Sequence, residues 1–224
     1  MEMEIILPEE VAVMTLPDVA FFPQALLPLH IFETRYQHML KDVLSSDRLF
    51  AVTGLKPTHQ PQAEPLQRIG TIGIIRACQK NSNGTSNLLL QGLARIECLG
   101  IVAEDPYRRV RVRALSSEAG ADDDANDRLR VRLERLISLK RRLGGPVPTE
   151  FTRFLKTVDD PETFVDLAAF TLCDDVLMKQ RLLETLDVHQ RLLLYGKHLR
   201  VEIDRLRLRR TLQGKLPDDS IQNN

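Results

Sequence analysis

The segment Leu16–Met39, LPDVAFFPQALLPLHIFETRYQHM, decides how the rest of the chain is interpreted. Its first part combines prolines with short apolar runs, a composition typical of strands that begin or lie at the edge of a sheet. After Glu33 the apolar spacing becomes helical. The residues that share one face of this predicted helix are Tyr36, Met39, Leu40 and Val43. The segment therefore predicts strands, at Val11–Leu16 and Leu26–Phe32, that lead into a helix over Glu33–Leu44.

The β-strand signal continues through the first half of the chain. Arg48–Leu55 is a strand candidate, and Ile69–Cys78 and Asn87–Leu99 flank an Asn83-Gly84 pair that favours a hairpin turn. Tyr107–Leu115 alternates, with Val110, Val112 and Ala114 on one face and three arginines on the other. Glycines within these strands are typical of the bulges and bends that close a barrel. We expect a β-barrel with one inserted helix.

The composition changes after Leu115. Residues 116–126, SSEAGADDDAN, are small and acidic and lack apolar anchors, which is typical of a linker. The remaining sequence carries helical periodicity and capping signals. The predicted helices are Asp127–Leu143, Thr149–Val158, one opening at Pro161 and ending at Leu172, one ending at Leu186, and a long one after Asp187. The expected fold class is α+β: a barrel over 1–117, an acidic linker over 118–126, a helical bundle over 127–212 and a disordered tail over 213–224.

Charge and cysteine content restrict the classes of function. Lysine plus arginine and aspartate plus glutamate number 31 each, which favours neither nucleic acid nor a membrane surface as partner. The acidic N-terminus MEMEIILPEE does not resemble a secretory signal, and no apolar run approaches the roughly 18 residues of a membrane span. Three widely spaced cysteines fit reduced thiols. We therefore expect a cytoplasmic protein with no membrane segment.

No catalytic motif emerges from the sequence. A phosphate-binding loop, a G-x-S-x-G elbow, C-x-x-C and H-x-x-x-H are all absent. His30 and His38, with Glu33 between them, form a weak acid–base candidate. Cys78 and Cys98 lie in predicted apolar strands, where thiols are usually buried and inert. We expect no enzymatic activity, no cofactor and no metal site.

Two groups of residues are candidates for binding. Phe21, Phe22 and Phe32 are candidate contacts for a peptide, and the alternative is that these aromatics belong to the core. Arg109, Arg111 and Arg113 form a candidate basic patch, and the alternative is the water-facing side of a strand. The basic helix predicted over Asp127–Leu143 is a candidate contact for RNA or an acidic partner, and the alternative is a solvated helix face.

The chain resembles the amino-terminal substrate-binding domain of Lon proteases. The motifs that carry the resemblance are Leu16-Pro17, Phe22-Pro23, Pro28–Glu33 with Arg35-Tyr36 and Met39, Gly70–Gly73, Asn87–Arg95, Lys179–Glu184 and Arg191–Leu193. The resemblance covers roughly Val11–Arg210. It implies a six-stranded, PUA-like barrel followed by a helical bundle, and a role in recognising proteins or peptides. Neither the ATPase module nor the proteolytic Ser-Lys pair of a full protease is present in the sequence.

These observations favour a non-catalytic module that binds peptides or unfolded protein segments, through a sheet edge or an apolar groove. Its partners would include unfolded proteins, with a separate protease or chaperone as a further partner. RNA binding is the alternative function, because PUA-like barrels also occur in RNA-recognising proteins. The neutral net charge and the 5% content of aromatic residues count against base stacking. The sequence leaves the oligomeric state open.

Overall fold

A computed structural model describes residues 7–56 and 65–213. The strands are β1 (Glu10–Leu16), β2 (Leu26–Ile31), β3 (Leu49–Gly54), β4 (Ile69–Lys80), β5 (Ser86–Ala103) and β6 (Arg109–Leu115). The helices are α1 (Thr34–Leu44), α2 (Asp123–Arg142), α3 (Thr149–Leu155), α4 (Pro161–Leu172), α5 (Val176–Glu184) and α6 (Val188–Gln213). The expected α+β class, with one helix inserted among the strands, is confirmed.

Within residues 7–56 and 65–213, five of the six strands close into a ring. β4 pairs with β5 and β3, β3 pairs in parallel with β1, and β1 pairs with β6. The ring closes because β6 also pairs with the second half of β5, through Arg95↔Leu115 to Ala103↔Arg109. β2 pairs with the first half of β5. It lies on the same side of β5 as β6, which pairs with the second half of that strand. The sheet is therefore a five-stranded ring with one added strand, rather than a regular six-stranded barrel.

Small and β-branched residues fill the interior of the ring. The buried cluster consists of Val11, Val13, Ala51, Ile72, Ile96, Val110 and Val112. One or two of these come from each ring strand, as expected where alternate residues point inward. Burial of this apolar surface is the main source of stability for the ring.

Helix α1 packs by the four residues that the helical spacing predicted. Tyr36, Met39, Leu40 and Val43 are all buried. The hydroxyl of Tyr36 lies 3.0 Å from the Thr15 side-chain oxygen and accepts a hydrogen bond from the Thr15 backbone N–H. A buried tyrosine needs such a partner, and here the partner belongs to β1. The contact therefore joins α1 to β1.

The chain divides into two compact units. One comprises Met1–Glu118 and Asp166–Leu186, and the other comprises Ala119–Val165 and Asp187–Asn224. We call them the sheet unit and the helical unit. The sheet unit thus contains the second part of α4 and all of α5, which the sequence assigned to the helical bundle. Long-range packing against the strands decides this grouping, and local periodicity carries no information about it.

The helical unit is built on α2 and α6. Its core includes Leu133, Ile137, Leu192, Tyr195 and Leu199. Lys140 is buried and its Nζ lies 3.1 Å from Glu202, which supplies the counter-charge that a buried ammonium requires.

The structure shortens the predicted linker at 118–126. α2 begins at Asp123, and Asp122 is its N-cap, with a side-chain carboxylate that accepts a hydrogen bond from the Ala125 N–H at 2.7 Å. The acidic run is therefore a helix start, where aspartates favour the N-terminal end of the helix dipole. A second difference is Ala114, which is exposed although alternation placed it on the buried face. The predicted tail over 213–224 lies outside the described residues, except that α6 ends at Gln213.

Candidate functional site

The candidate site is the outer edge of β2, which has no strand on its second side among the residues that the structure describes. Gly92 donates its backbone N–H to the Ala25 oxygen at 2.9 Å. In an antiparallel ladder, residues alternate between those bonded to the partner strand and those whose backbone groups point away. With the observed register Pro28↔Leu89, the backbone groups of Leu26, Pro28 and His30 point away from β5.

Pro28 agrees with this assignment. Proline has no N–H to donate and is tolerated in a sheet where its nitrogen faces an open edge. The open edge of β2 therefore presents the N–H groups of Leu26 and His30 and the carbonyls of all three outward-pointing residues. These are the groups with which an additional strand would pair.

A row of large side chains follows the same edge. Leu26 is 50% exposed and Phe32 is 64% exposed, and Pro28 and His30 between them are exposed too. The His30 ring stacks on Phe32, with 6.0 Å between centroids and 23° between planes. His30 Nδ1 is also 2.6 Å from the Asn87 side-chain oxygen of β5, which fixes the ring. We call Leu26, Pro28, His30 and Phe32 the β2 stripe.

Phe21 and Phe22, the other two candidate peptide contacts, lie in the core. Phe21 is 1% exposed, and its ring makes an edge contact with Phe170 at 6.1 Å. Phe22 is fully buried, with the Arg95 guanidinium 5.9 Å above its ring. Both rings are thus occupied by core contacts. The structure does not bring them to the surface beside Phe32, so a groove formed by the three phenylalanines is absent from the described residues.

Gly92 allows the chain around Phe22 to pass close to β5. A Cβ placed on Gly92 would lie 2.2 Å from the backbone oxygen of Phe22. No side chain fits at that distance, so only glycine permits this approach. The β2 stripe therefore follows a segment whose Phe21, Phe22 and Ala25 are buried.

A buried ion pair between Arg95 and Asp166 lies beside Phe22. Arg95 Nη2 lies 2.7 Å from Asp166 Oδ1, and these side chains are 2% and 1% exposed. Arg95 Nε also donates to the Leu183 carbonyl at 3.1 Å. The sequence indicated Arg95 only as the end of a family motif. Its partner on α4 is 71 residues away and has no local signal.

The basic patch on β6 is exposed, and each of its arginines lies near a carboxylate. Arg109 is 2.7 Å from Glu10, and Arg111 is 3.8 Å from the same side chain. Arg113 forms an ion pair with Glu97. The row therefore has the geometry of the water-facing side of a strand. Its positive charge is partly balanced by neighbouring acids.

Glu97 is held by two arginines. The hydrogen bond from Arg113 lowers the pKa of Glu97, and Arg68 lowers it further, while burial acts in the opposite direction. The carboxylate is thereby kept ionised within β5, where this strand lies between the start of β4 and the end of β6.

The weak catalytic candidates do not form a site. Glu33 pairs with Arg35 at 2.9 Å, His30 bonds Asn87, and His38 is exposed on α1. Burial and the neighbouring Glu97 raise the pKa of the Cys98 thiol to about 11, which disfavours the nucleophilic thiolate.

Cys78 differs from the expectation, because it is exposed near the end of β4 rather than buried. Within the described ranges, no group of three or more His, Cys, Asp or Glu side chains is arranged to hold a metal ion. None of the helices in these ranges is both long and apolar enough to cross a membrane.

Comparison with known proteins identifies the family. The family model of the ATP-dependent protease La (LON) substrate-binding domain matches residues 10–201. A Lon protease of Desulfosudis oleivorans is 29% identical over 216 residues, which cover 95% of this chain and 26% of that protein. A Lon protease of Syntrophus aciditrophicus is 28% identical and is covered over 28% of its length. The chain thus spans about a quarter of the length of these curated relatives.

Two solved structures share the fold. The N-terminal domain of a Mycobacterium avium complex Lon protease superposes with a TM-score of 0.62 at 21% identity, covering 88% of this chain and 97% of that one. A Lon N-terminal domain protein from Xanthomonas campestris gives a TM-score of 0.59 at 20% identity, covering 82% and 94%. Together with the family match, which includes the whole β2 stripe, these findings show that the chain belongs to the Lon substrate-binding domain family.

Proposed function

We propose that this member of the Lon substrate-binding domain family is a non-catalytic module that binds extended segments of unfolded proteins along the open edge of β2. The observation that carries the proposal is the coincidence of two features on one strand. β2 has outward-pointing backbone groups, and the β2 stripe exposes large side chains beside them. Backbone pairing supplies affinity for any extended chain, while pockets between alternate side chains supply selectivity.

The stripe suits a segment whose apolar side chains recur at every second position. A strand added to β2 would place its alternate residues beside Leu26, Pro28 and His30, because cross-strand neighbours share one face. Phe32, at the end of the row, supplies an aromatic face of the kind that anchors binding partners. Pro28 interrupts the row of donors, so the bound segment would lack one ladder bond there.

The family supports this role without specifying the ligand. The family is that of the Lon substrate-binding domain, and the matched relatives are Lon proteases. We infer that the bound segments come from proteins destined for a protease or chaperone on a separate chain. A cytoplasmic location is part of the same proposal, and the free thiols of Cys78, Cys98 and Cys173 are compatible with it.

RNA binding, the alternative, has no comparable observation in its favour. Each arginine of the β6 row lies near a carboxylate, as described above, so less positive charge is available to phosphates.

The test is binding of a carboxymethylated, permanently unfolded protein to the Phe32→Ala variant. Truncation of an exposed aromatic anchor costs about 1–2 kcal/mol, so we expect roughly tenfold weaker binding. Phe154→Ala is the matched control, because Phe154 is also a half-exposed phenylalanine but lies on α3. Circular dichroism confirms that both variants fold. Equal affinities for wild type and Phe32→Ala would contradict the proposed site.

A further inference from the structure

A second stretch of open sheet edge lies at the far end of β5. β4 follows β5 only as far as the hydrogen bond from the Cys98 N–H to the Arg68 carbonyl, at 2.8 Å. Beyond it, β5 continues to Ala103 beside β6, with Ile101 opposite Val110. In the described part of the chain, no strand pairs with the other side of residues 99–103.

The chain that precedes β4 forms an opposite wall. Leu66 makes an isolated bridge with Leu55, and the Gln67 N–H donates to the Gly54 carbonyl at 2.9 Å. These contacts join residues 66 and 67 to the end of β3 and the residue that follows it. Between this wall and β5 is an open groove of about 290 Å³, with Val110 among its lining residues. We call it the β5 groove.

The β5 groove has an apolar lining that water reaches. Leu99 is 52% exposed and Ile101 is 51% exposed, on a strand where the ladder with β6 is interrupted by two register shifts. Ile101 lies opposite the buried Val110, whereas Gly100 lies opposite the exposed Arg111 on the other face of the sheet. The Ile101 side chain is therefore on the same face of the sheet as Val110, which also lines the groove. Contiguous exposed apolar residues of this kind mark interaction surfaces.

The rim of the β5 groove is positively charged. Lys56 is exposed at one side, and it takes part in none of the ion pairs between described residues. Arg68 lies at the rim too, 71% exposed, and shares the single carboxylate of Glu97 with Arg113. Two guanidinium groups facing one carboxylate leave an excess of positive charge. An acidic segment would therefore be attracted to this groove.

We propose that the β5 groove binds an extended protein segment in which acidic residues alternate with apolar ones. The segment's backbone pairs with the open edge of residues 99–103, its apolar side chains enter beside Leu99 and Ile101, and its carboxylates lie near Lys56 and Arg68. This surface differs from the β2 stripe in position and in charge preference. It stands on its own geometry and does not depend on the function proposed for β2.

The test uses two fluorescein-labelled decapeptides and fluorescence anisotropy on the full chain. In one, valine alternates with glutamate, and in the other valine alternates with lysine. We expect the glutamate peptide to bind at least about tenfold more tightly at low salt, and the difference to shrink as salt is added. Lys56→Glu should weaken the glutamate peptide about fivefold and strengthen the lysine peptide.

Ile101→Asp places a carboxylate among the apolar side chains of the groove and should abolish most of the binding of the glutamate peptide, while Phe154→Ala on α3 should leave it unchanged. Equal affinity for the two peptides would overturn the proposal, as would unchanged binding of the glutamate peptide to a folded Ile101→Asp variant. The proposal also fails if sedimentation shows a dimer of this chain that Ile101→Asp disrupts, since a second copy would then occupy the groove. A loss of binding in Phe32→Ala alone would assign the peptides to β2 instead.

Discussion

Removing the carboxylate of Asp166 should destabilise the sheet unit severely. Asp166 and Arg95 are 1% and 2% exposed, and an arginine cannot lose its charge at any accessible pH. Asp166→Ala therefore leaves a buried guanidinium without its main counter-charge, a change that typically costs about 3–5 kcal/mol. Because Arg95 keeps its bond to the Leu183 carbonyl, we expect the lower end, about 3 kcal/mol.

The measurement is urea unfolding followed by far-ultraviolet circular dichroism. With a slope of about 3 kcal/mol per molar urea, a loss of about 3 kcal/mol moves the midpoint down by about 1 M. Arg153→Ala is the matched control, since it removes an Arg–Glu pair in which both side chains are more than 70% exposed. Its midpoint should shift by less than about 0.3 M, because exposed pairs contribute at most about 1 kcal/mol.

The double variant Arg95→Met with Asp166→Leu separates charge from packing. Replacing both charges by apolar side chains of similar size removes the buried charge, so stability should recover most of the loss. A midpoint for Asp166→Ala that matches Arg153→Ala would refute the reasoning. Failure of the double variant to recover would show that the hydrogen bonds of the pair, rather than the unpaired charge, determine its contribution.

Two further predictions concern the same sheet unit. Glu97 has a pKa below that of a free glutamate, so its stabilising contribution is present above the unfolded-state pKa and is lost as pH falls through the lower folded-state value. The urea midpoint of wild type should therefore decrease below about pH 5, relative to Glu97→Gln, and parallel profiles would contradict this role. Gly92→Ala should prevent stable folding, since its Cβ would lie 2.2 Å from a backbone oxygen, whereas Gly100→Ala should unfold at the wild-type temperature.

Local patterns in the sequence predicted most of the elements. The helical spacing of Tyr36, Met39, Leu40 and Val43 gave the buried face of α1, because each element's own period records which side faces the core. The alternation on β6 likewise separated Val110 and Val112 from the arginines. Motifs spread over the chain then identified the family, which the comparison confirms.

The parts of the candidate site that depend on tertiary contacts could not be predicted. All three candidate phenylalanines lie in short apolar runs, but only Phe32 is exposed. Phe21 packs against Phe170 and Phe22 lies under Arg95, and these partners are distant in sequence. Whether β2 is an edge strand follows from the pairing of β6 further along β5, which depends on residues far from β2 in the sequence. Pro28 was the one local indication, since proline favours an open edge.

The placement of Asp166–Leu186 in the sheet unit has a practical consequence for dissecting the protein. A fragment ending near residue 118 would carry Arg95 and Phe21 without Asp166 and Phe170, their partners from α4. Neither unit is a continuous piece of sequence, so a single cut yields neither. An isolated sheet unit requires residues 119–165 to be replaced by a flexible connection and the chain to be ended after Leu186.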